Sequence, residues 1–173
     1  MTKIGIFYGS LLENTKEAAE NIKAELEAYD GITVDIFDIA HNDVRKMEEY
    51  ELLLVGCPTW NVGQLQSDWE DAEGQIAQLD LRGKRLALFG CGDQGGYPDT
   101  FQDAIGILAK AMRKRGASLV GYWPTEGYDF YESLGVEDGK FMGLALDNDV
   151  QDYLTNERIR EWVRQIVGEF ELA

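Results

Sequence analysis

Leu52-Leu53-Leu54-Val55-Gly56 carries no polar side chain, and that run decides the architecture. A strand with one wet face alternates apolar and polar residues, whereas a strand apolar on both faces belongs inside a parallel sheet covered from both sides. Working outward, Ile4-Gly5-Ile6-Phe7-Tyr8 is a similar run, closed by Gly9-Ser10 and too short for a helix. Ile32 to Ile36 follows Gly31, Arg85-Leu86-Ala87-Leu88-Phe89 ends at Gly90, and Ser118-Leu119-Val120-Gly121 opens a fifth strand. Between these runs the period changes to 3.6 residues. Ala18, Ala19, Ile22 and Leu26 form one stripe, Trp69, Ala72, Ile76 and Leu79 a second, and Phe101, Ile105, Leu108 and Met112 a third. Ile159, Trp162, Val163, Ile166 and Phe170 form the last, with Thr155 as its expected N-cap. Strands alternating with helices predict an α/β fold, a parallel sheet wound on both faces by right-handed crossovers, in one domain spanning 1–173.

Charge narrows the function. Lys and Arg number 16 against 32 Asp and Glu, a net charge of −16. Binding to nucleic acid through its phosphates requires the opposite sign, so that class is excluded. An acidic surface favours basic partners. No apolar run approaches membrane-spanning length and no signal-like stretch follows Met1-Thr2-Lys3, so no membrane contact and a cytoplasmic location are expected. Cys57 and Cys91, without CxxC spacing, fit a reducing compartment and read as small buried thiols. The stretch from Tyr122 to Lys140 holds five aromatic and five acidic residues against one cation. It is either a loop inserted into the last βα unit or a short hairpin at the sheet edge, and its length points to function or partner contact.

In an open parallel sheet the ligand crevice lies beyond the carboxyl ends of the strands, which selects three loops. Gly9-Ser10-Leu11-Leu12-Glu13-Asn14-Thr15 leads into a helix N-terminus, where free N–H groups favour an anion; ordinary helix capping explains it equally well. Pro58-Thr59-Trp60-Asn61-Val62-Gly63 puts a large aromatic in a polar turn, able to stack on a flat ligand or to pack beneath the loop. Gly90-Cys91-Gly92-Asp93-Gln94-Gly95-Gly96-Tyr97-Pro98 has four glycines in its first seven residues and another aromatic near its end. Together they describe a pocket for a planar ring attached to a phosphate. No metal site and no catalytic acid–base pair is evident, and the sole histidine, His41, sits in a polar stretch away from these loops.

At these residues the chain resembles the long-chain flavodoxins. Pro58 to Gly63, Gly92-Asp93-Gln94 with Tyr97, Phe101 to Ala104, Gly121-Tyr122-Trp123, Gly127-Tyr128 and Phe141 to Asp147 carry the resemblance. It implies a five-stranded sheet of order 2-1-3-4-5 with helices on both faces, and a fifth strand split by an insertion at about 122–140. It also implies noncovalent FMN and a low-potential carrier shuttling single electrons between larger redox enzymes, not an independent enzyme. By position, Trp60 and Tyr97 resemble the two walls of the flavin ring, and Asn61–Val62 the peptide facing its N5. Asp93, Thr100 and Gln102 resemble backbone contacts to the pyrimidine edge beside Cys91 and Gly92. Asp147 resembles a ribityl contact, and Ser10, Asn14 and Thr15 match the phosphate loop. The implied partners are basic-faced, such as a flavodoxin/ferredoxin-NADP reductase or a low-potential oxidoreductase, met by a monomer.

The phosphate loop departs from the family pattern Ser/Thr-x-Thr-Gly-x-Thr, because Leu12 replaces a hydroxyl and Glu13 the glycine. A lost hydroxyl donor to a charged group costs about 1.5–3 kcal/mol. Three arrangements would limit the damage: Glu13 pointing into solvent, Asn14 taking the left-handed position, or backbone N–H groups holding the phosphate unaided. The same departure supports the rival reading, a binding or regulatory domain with a weakened phosphate site and no redox role. A receiver domain of the same topology needs clustered Asp residues after the first strand, where this chain has Tyr8-Gly9-Ser10.

Overall fold

The computed structural model describes residues 1–10, 13–60 and 64–172, with the side chains of Trp60 and Gln64 outside the description. In chain order the elements are β1 (Thr2–Tyr8), α1 (Asn14–Glu27), β2 (Ile32–Asp38), a 3₁₀ helix (Val44–Glu49), β3 (Leu52–Trp60), β4 (Gln64–Leu65) and α2 (Ser67–Ile76). Then come β5 (Arg85–Cys91), α3 (Asp103–Lys114), β6 (Ser118–Val120), β7 (Trp123–Pro124), β8 (Val136–Glu137), β9 (Lys140–Phe141) and β10 (Leu144–Leu146). A 3₁₀ turn (Asp152–Leu154) leads into α4 (Thr155–Glu169).

The main sheet runs β10-β5-β3-β1-β2, every neighbour parallel. The fifth strand comes in two pieces. β6 pairs with β5 from Arg85↔Ser118 to Ala87↔Val120, and β10 from Phe89↔Leu144 to Cys91↔Leu146. Counting them as one strand gives the expected order 2-1-3-4-5. Gly143 lies against Leu88, where an added Cβ would come within 2.3 Å of the Leu88 carbonyl oxygen. The segment between the halves does not extend the main sheet; it forms its own antiparallel sheet, β7-β9-β8.

The two-sided apolarity of β3 is used as the sequence implies. Leu52 and Leu54 join the core beneath α1 and α4, while Leu53 and Val55 join the core beneath α2 and α3. All four are nearly or wholly buried, each contributing about 1.5–3 kcal/mol of hydrophobic stabilisation. The same alternation sends Cys57 to the α2/α3 side and Cys91 to the α1/α4 side. The two thiols therefore point away from each other through the sheet.

Three expectations need adjusting. Thr155 is the first residue of α4 and Leu154 its N-cap; the Thr155 hydroxyl is buried without a partner among the described residues. Phe101 precedes α3 and packs instead with Tyr128, Phe130 and Phe141 of the insertion, ring centroids 5.7–5.8 Å away. Leu79 lies beyond the end of α2, though it is buried.

Candidate functional site

β1, β3 and β5 end side by side, and their following loops meet α1, β4 and the approach to α3. Glu13 is exposed and is itself the left-handed residue, φ 70° and ψ −12°. Asn14 has already entered the helix, so of the three arrangements weighed for this loop the first holds and the second does not. Among the described residues no side chain caps α1, which leaves its leading N–H groups for an anion. Ser10 Oγ and Thr15 Oγ1, flanking this helix start, are buried without a hydrogen-bond partner among the described residues. The Thr15 hydroxyl lies near the Cys91 thiol but outside hydrogen-bonding geometry. Burial pushes that thiol up to about 12, keeping it protonated. Burial, then the carboxylates of Asp38, Glu20 and Glu13, push the neighbouring Tyr8 phenol upward. Leu11 and Leu12 lie outside the described residues.

The second loop is framed by a short antiparallel pairing, Thr59↔Leu65 and Trp60↔Gln64. Asn61, Val62 and Gly63 lie outside the described residues, as does the Trp60 side chain. Pro58 and Thr59 are half-buried. Thr59 Oγ1 accepts from the Ala104 N–H at 3.2 Å and so fastens the loop to the start of α3. At the other end Gln66 caps α2, its Oε1 accepting from the N–H groups of Asp68 and Trp69, while its Nε2 donates to the Ser10 carbonyl at 3.5 Å. Trp69 Nε1 donates to the Gly56 carbonyl at 2.9 Å. A Cβ on Gly9 would meet Gln66 Oε1 at 2.4 Å and the buried Trp69 ring at 2.9 Å, so a larger residue there would have to displace the α2 cap.

In the third loop Tyr97 stands 44% exposed, its N–H bonded to the Asp93 carbonyl at 2.9 Å. Asp93 Oδ1 accepts from the Gly96 N–H at 2.8 Å, and Gly92 and Asp93 are half-buried. Thr100 Oγ1 is another buried hydroxyl without a partner among the described residues. Gln102 sits one layer lower: it is fully buried, left-handed at φ 62°, and its Nε2 donates to the carbonyls of Gly90 and Leu146 at 3.1 Å each. Its side chain joins β5 to β10 and offers no surface to the crevice.

Asp147 is also fully buried. Its Oδ2 accepts from the N–H and Nε2 of Gln94 at 3.0 and 2.8 Å, and its Oδ1 from the N–H groups of Asp149 and Val150 at 3.0 and 2.9 Å. Four donors already occupy the carboxylate, so its side chain organises the crevice wall. The carboxylates of Asp93, Asp147 and Asp149 lie within 4.8 Å of one another, and burial, then Asp93 and Asp147, raise the Asp149 pKa.

The insertion is stitched to this third loop. Asp129 N–H donates to Gln94 Oε1 at 2.6 Å, Tyr131 and Glu132 N–H donate to the Pro98 carbonyl at 2.8 and 3.2 Å, and the Ser133 hydroxyl donates to the Phe101 carbonyl. Leu134 N–H reaches Asp103 Oδ1 at 2.7 Å, on a carboxyl whose pKa burial raises. Sequence reading missed Gln66 and Ser133 and named Gln94 without a role. A polar residue in a polar loop carries no periodic signal, and only the buried partners disclose the function.

Comparison with known proteins agrees with this geometry. A family model described as Flavodoxin matches residues 6–162. The flavodoxin of a Synechocystis species is 52% identical over 96% of each chain, and one from a Nostoc species is 48% identical over 98% of each. Among solved structures, Fusobacterium nucleatum flavodoxin bound to flavin mononucleotide superimposes with a TM-score of 0.91 at 32% identity, covering 98% of this chain and 99% of that one.

Proposed function

This chain belongs to the flavodoxin family, and on that premise we propose that it holds FMN noncovalently and carries single electrons between redox enzymes, without being an enzyme itself. The observation that carries this reading is that, of the four buried hydroxyls without partners among the described residues, three stand at the crevice, Ser10 and Thr15 at the start of α1 and Thr100 in the third loop, the fourth being Thr155 at α4. Such groups are costly unless a ligand completes them.

In this reading the N–H groups and hydroxyls of Ser10 to Thr15, with Leu11, Leu12 and Glu13 forming the turn, receive the phosphate. Trp60 and Tyr97 flank the ring, with Pro58, Thr59, Asn61, Val62 and Gly63 on one side and Cys91, Gly92, Asp93 and Thr100 on the other. Gln102 and Asp147 hold those walls in place. FMN supplies the reversible one-electron chemistry, and the protein tunes it through contacts and charge. The acidic carboxylates make added negative charge in the crevice unfavourable. That lowers the potential of the last electron, by about 59 mV for every 1.4 kcal/mol.

The partners are proteins with basic faces, such as a flavodoxin/ferredoxin-NADP reductase, met in the cytoplasm by a monomer that acts as one unit. Among the described residues no helix is long and apolar enough to cross a membrane. The test is calorimetric titration of the flavin-free protein with FMN, followed by potentiometric titration of the complex. A yellow complex with two separate one-electron potentials is expected. A protein that takes up no FMN would instead be the regulatory domain allowed by the altered phosphate loop.

A further inference from the structure

A second concavity, sharing no residue with the crevice, runs between α2 and α3 and encloses about 460 Å³. Leu65, Ile76, Ile107 and Ala111 form its apolar stretch, and its polar groups are the charged side chains of Glu73, Lys110, Lys114 and Arg115. Along that apolar stretch a polyhydroxylated ligand would lose its water without replacement, which disfavours that class there. An aliphatic body suffers no such loss, and the volume is in the range of small-molecule sites, about 300–1,000 Å³.

The rim has the opposite sign from the rest of the molecule. Lys110, Lys114 and Arg115 line the groove against a single acid, Glu73, in a chain whose acids outnumber its cations 32 to 16. The ammonium groups of Lys110 and Lys114 have neither an ion pair nor a hydrogen bond among the described residues, while Arg115 is held by its Nε donating to the Leu79 carbonyl at 2.8 Å. Cations in the last turn complement the α3 dipole, which accounts for Arg113 and Lys114. Lys110, a turn earlier, lies within electrostatic reach of Glu137, the partner of Arg113; neither effect accounts for the apolar channel left open beside it.

We propose that this groove binds a small amphiphilic carboxylate, its aliphatic body along Ile76, Ile107 and Ala111 and its charged head between Lys110 and Lys114. The floor residue Leu65 pairs with Thr59, whose hydroxyl is bonded to α3, so an occupant touches the strand that carries the second crevice loop.

The probe is decanoate below its micelle concentration, followed by calorimetry and by backbone NMR shifts of the purified protein. Decanol and decyltrimethylammonium serve as neutral and cationic comparators. Saturable one-to-one binding of decanoate is expected, with the largest shifts at Ile107 and Ala111, decanol weaker by roughly tenfold, and the cation unbound. Lys110→Glu combined with Lys114→Glu, both exposed positions, should weaken decanoate by about tenfold or more while leaving decanol unchanged. Decanol binding as tightly as decanoate, shifts that map elsewhere, or a charge-reversed variant of wild-type affinity would each overturn the proposal. Circular dichroism of the variant checks that its fold is kept. The titration reads the groove whether or not FMN binds the crevice.

Discussion

Glu13 concentrates the conflict between fold and ligand in one side chain. Holding a non-glycine residue at φ 70° costs about 1–2 kcal/mol, and its carboxylate, though exposed to solvent, belongs to the N-cap residue of α1 and would repel a phosphate there through water-screened charge. Glu13→Gly should therefore stabilise the flavin-free protein, by about 1 kcal/mol or somewhat less after the extra freedom of glycine in the unfolded chain, as read by urea unfolding. It should also tighten FMN without tightening riboflavin, which has no phosphate to repel. Equal gains for both flavins would refute the electrostatic part. Cys57 and Cys91 make a second residue-scale test: both are buried, their pKa values raised by burial, and they face opposite sides of the sheet. Neither thiol should react with Ellman's reagent before unfolding, and oxidants should form no bridge between them. The departure at Glu13 was legible in the sequence, because the family's glycine is missing. The direction taken by each cysteine required the register of β3 against β5.

Among the elements, the five strands and four helices were legible because each buries a face whose period the sequence displays. The split fifth strand was legible only through resemblance, and the small β7-β9-β8 sheet only as the alternative of a short hairpin, expected at the edge of the main sheet and found apart from it, its strands being two residues long. What holds the insertion is polar and specific. Besides its bonds to the third loop, Glu137 of β8 receives both Arg113 Nη groups of α3 at 2.9 Å and the Tyr122 hydroxyl at 2.8 Å. These donors lower its pKa from 4.5 to about 2. A carboxyl depressed in the fold stabilises it above the unfolded value and loses that contribution as pH falls through the folded one. The clasp should therefore weaken between about pH 4.5 and 2 and be intact at neutrality. Because the pair is part-exposed it is worth at most about 1 kcal/mol. Protection of the Val136 and Glu137 amides against exchange, relative to the unfolded rate at the same pH, should fall through that window, and Glu137→Gln should abolish that loss. Gln94→Ala, which removes a bridge between Asp147 and Asp129, should cost about 1–3 kcal/mol in thermal or urea unfolding.

At the scale of the molecule a charge of −16 acts on two observables with opposite signs. Added salt screens the self-repulsion of the folded chain and should raise its melting temperature. The same screening weakens attraction to a basic-faced partner, so the second-order electron-transfer rate should fall over the same salt range in stopped-flow measurements. A rate indifferent to salt would remove electrostatic steering from the account. Val120 stands opposite Ala87 and Leu144 opposite Phe89, while Gly143 already fills the gap beside Leu88. Excising 121–142 would thus splice Val120 to Gly143 and leave an unbroken fifth strand, with no slip along the seam. What the shortened chain would forfeit is the lid over Phe101, whose ring is roofed by Tyr128, Phe130 and Phe141; the excursion is dispensable to the scaffold's geometry and indispensable to that roof.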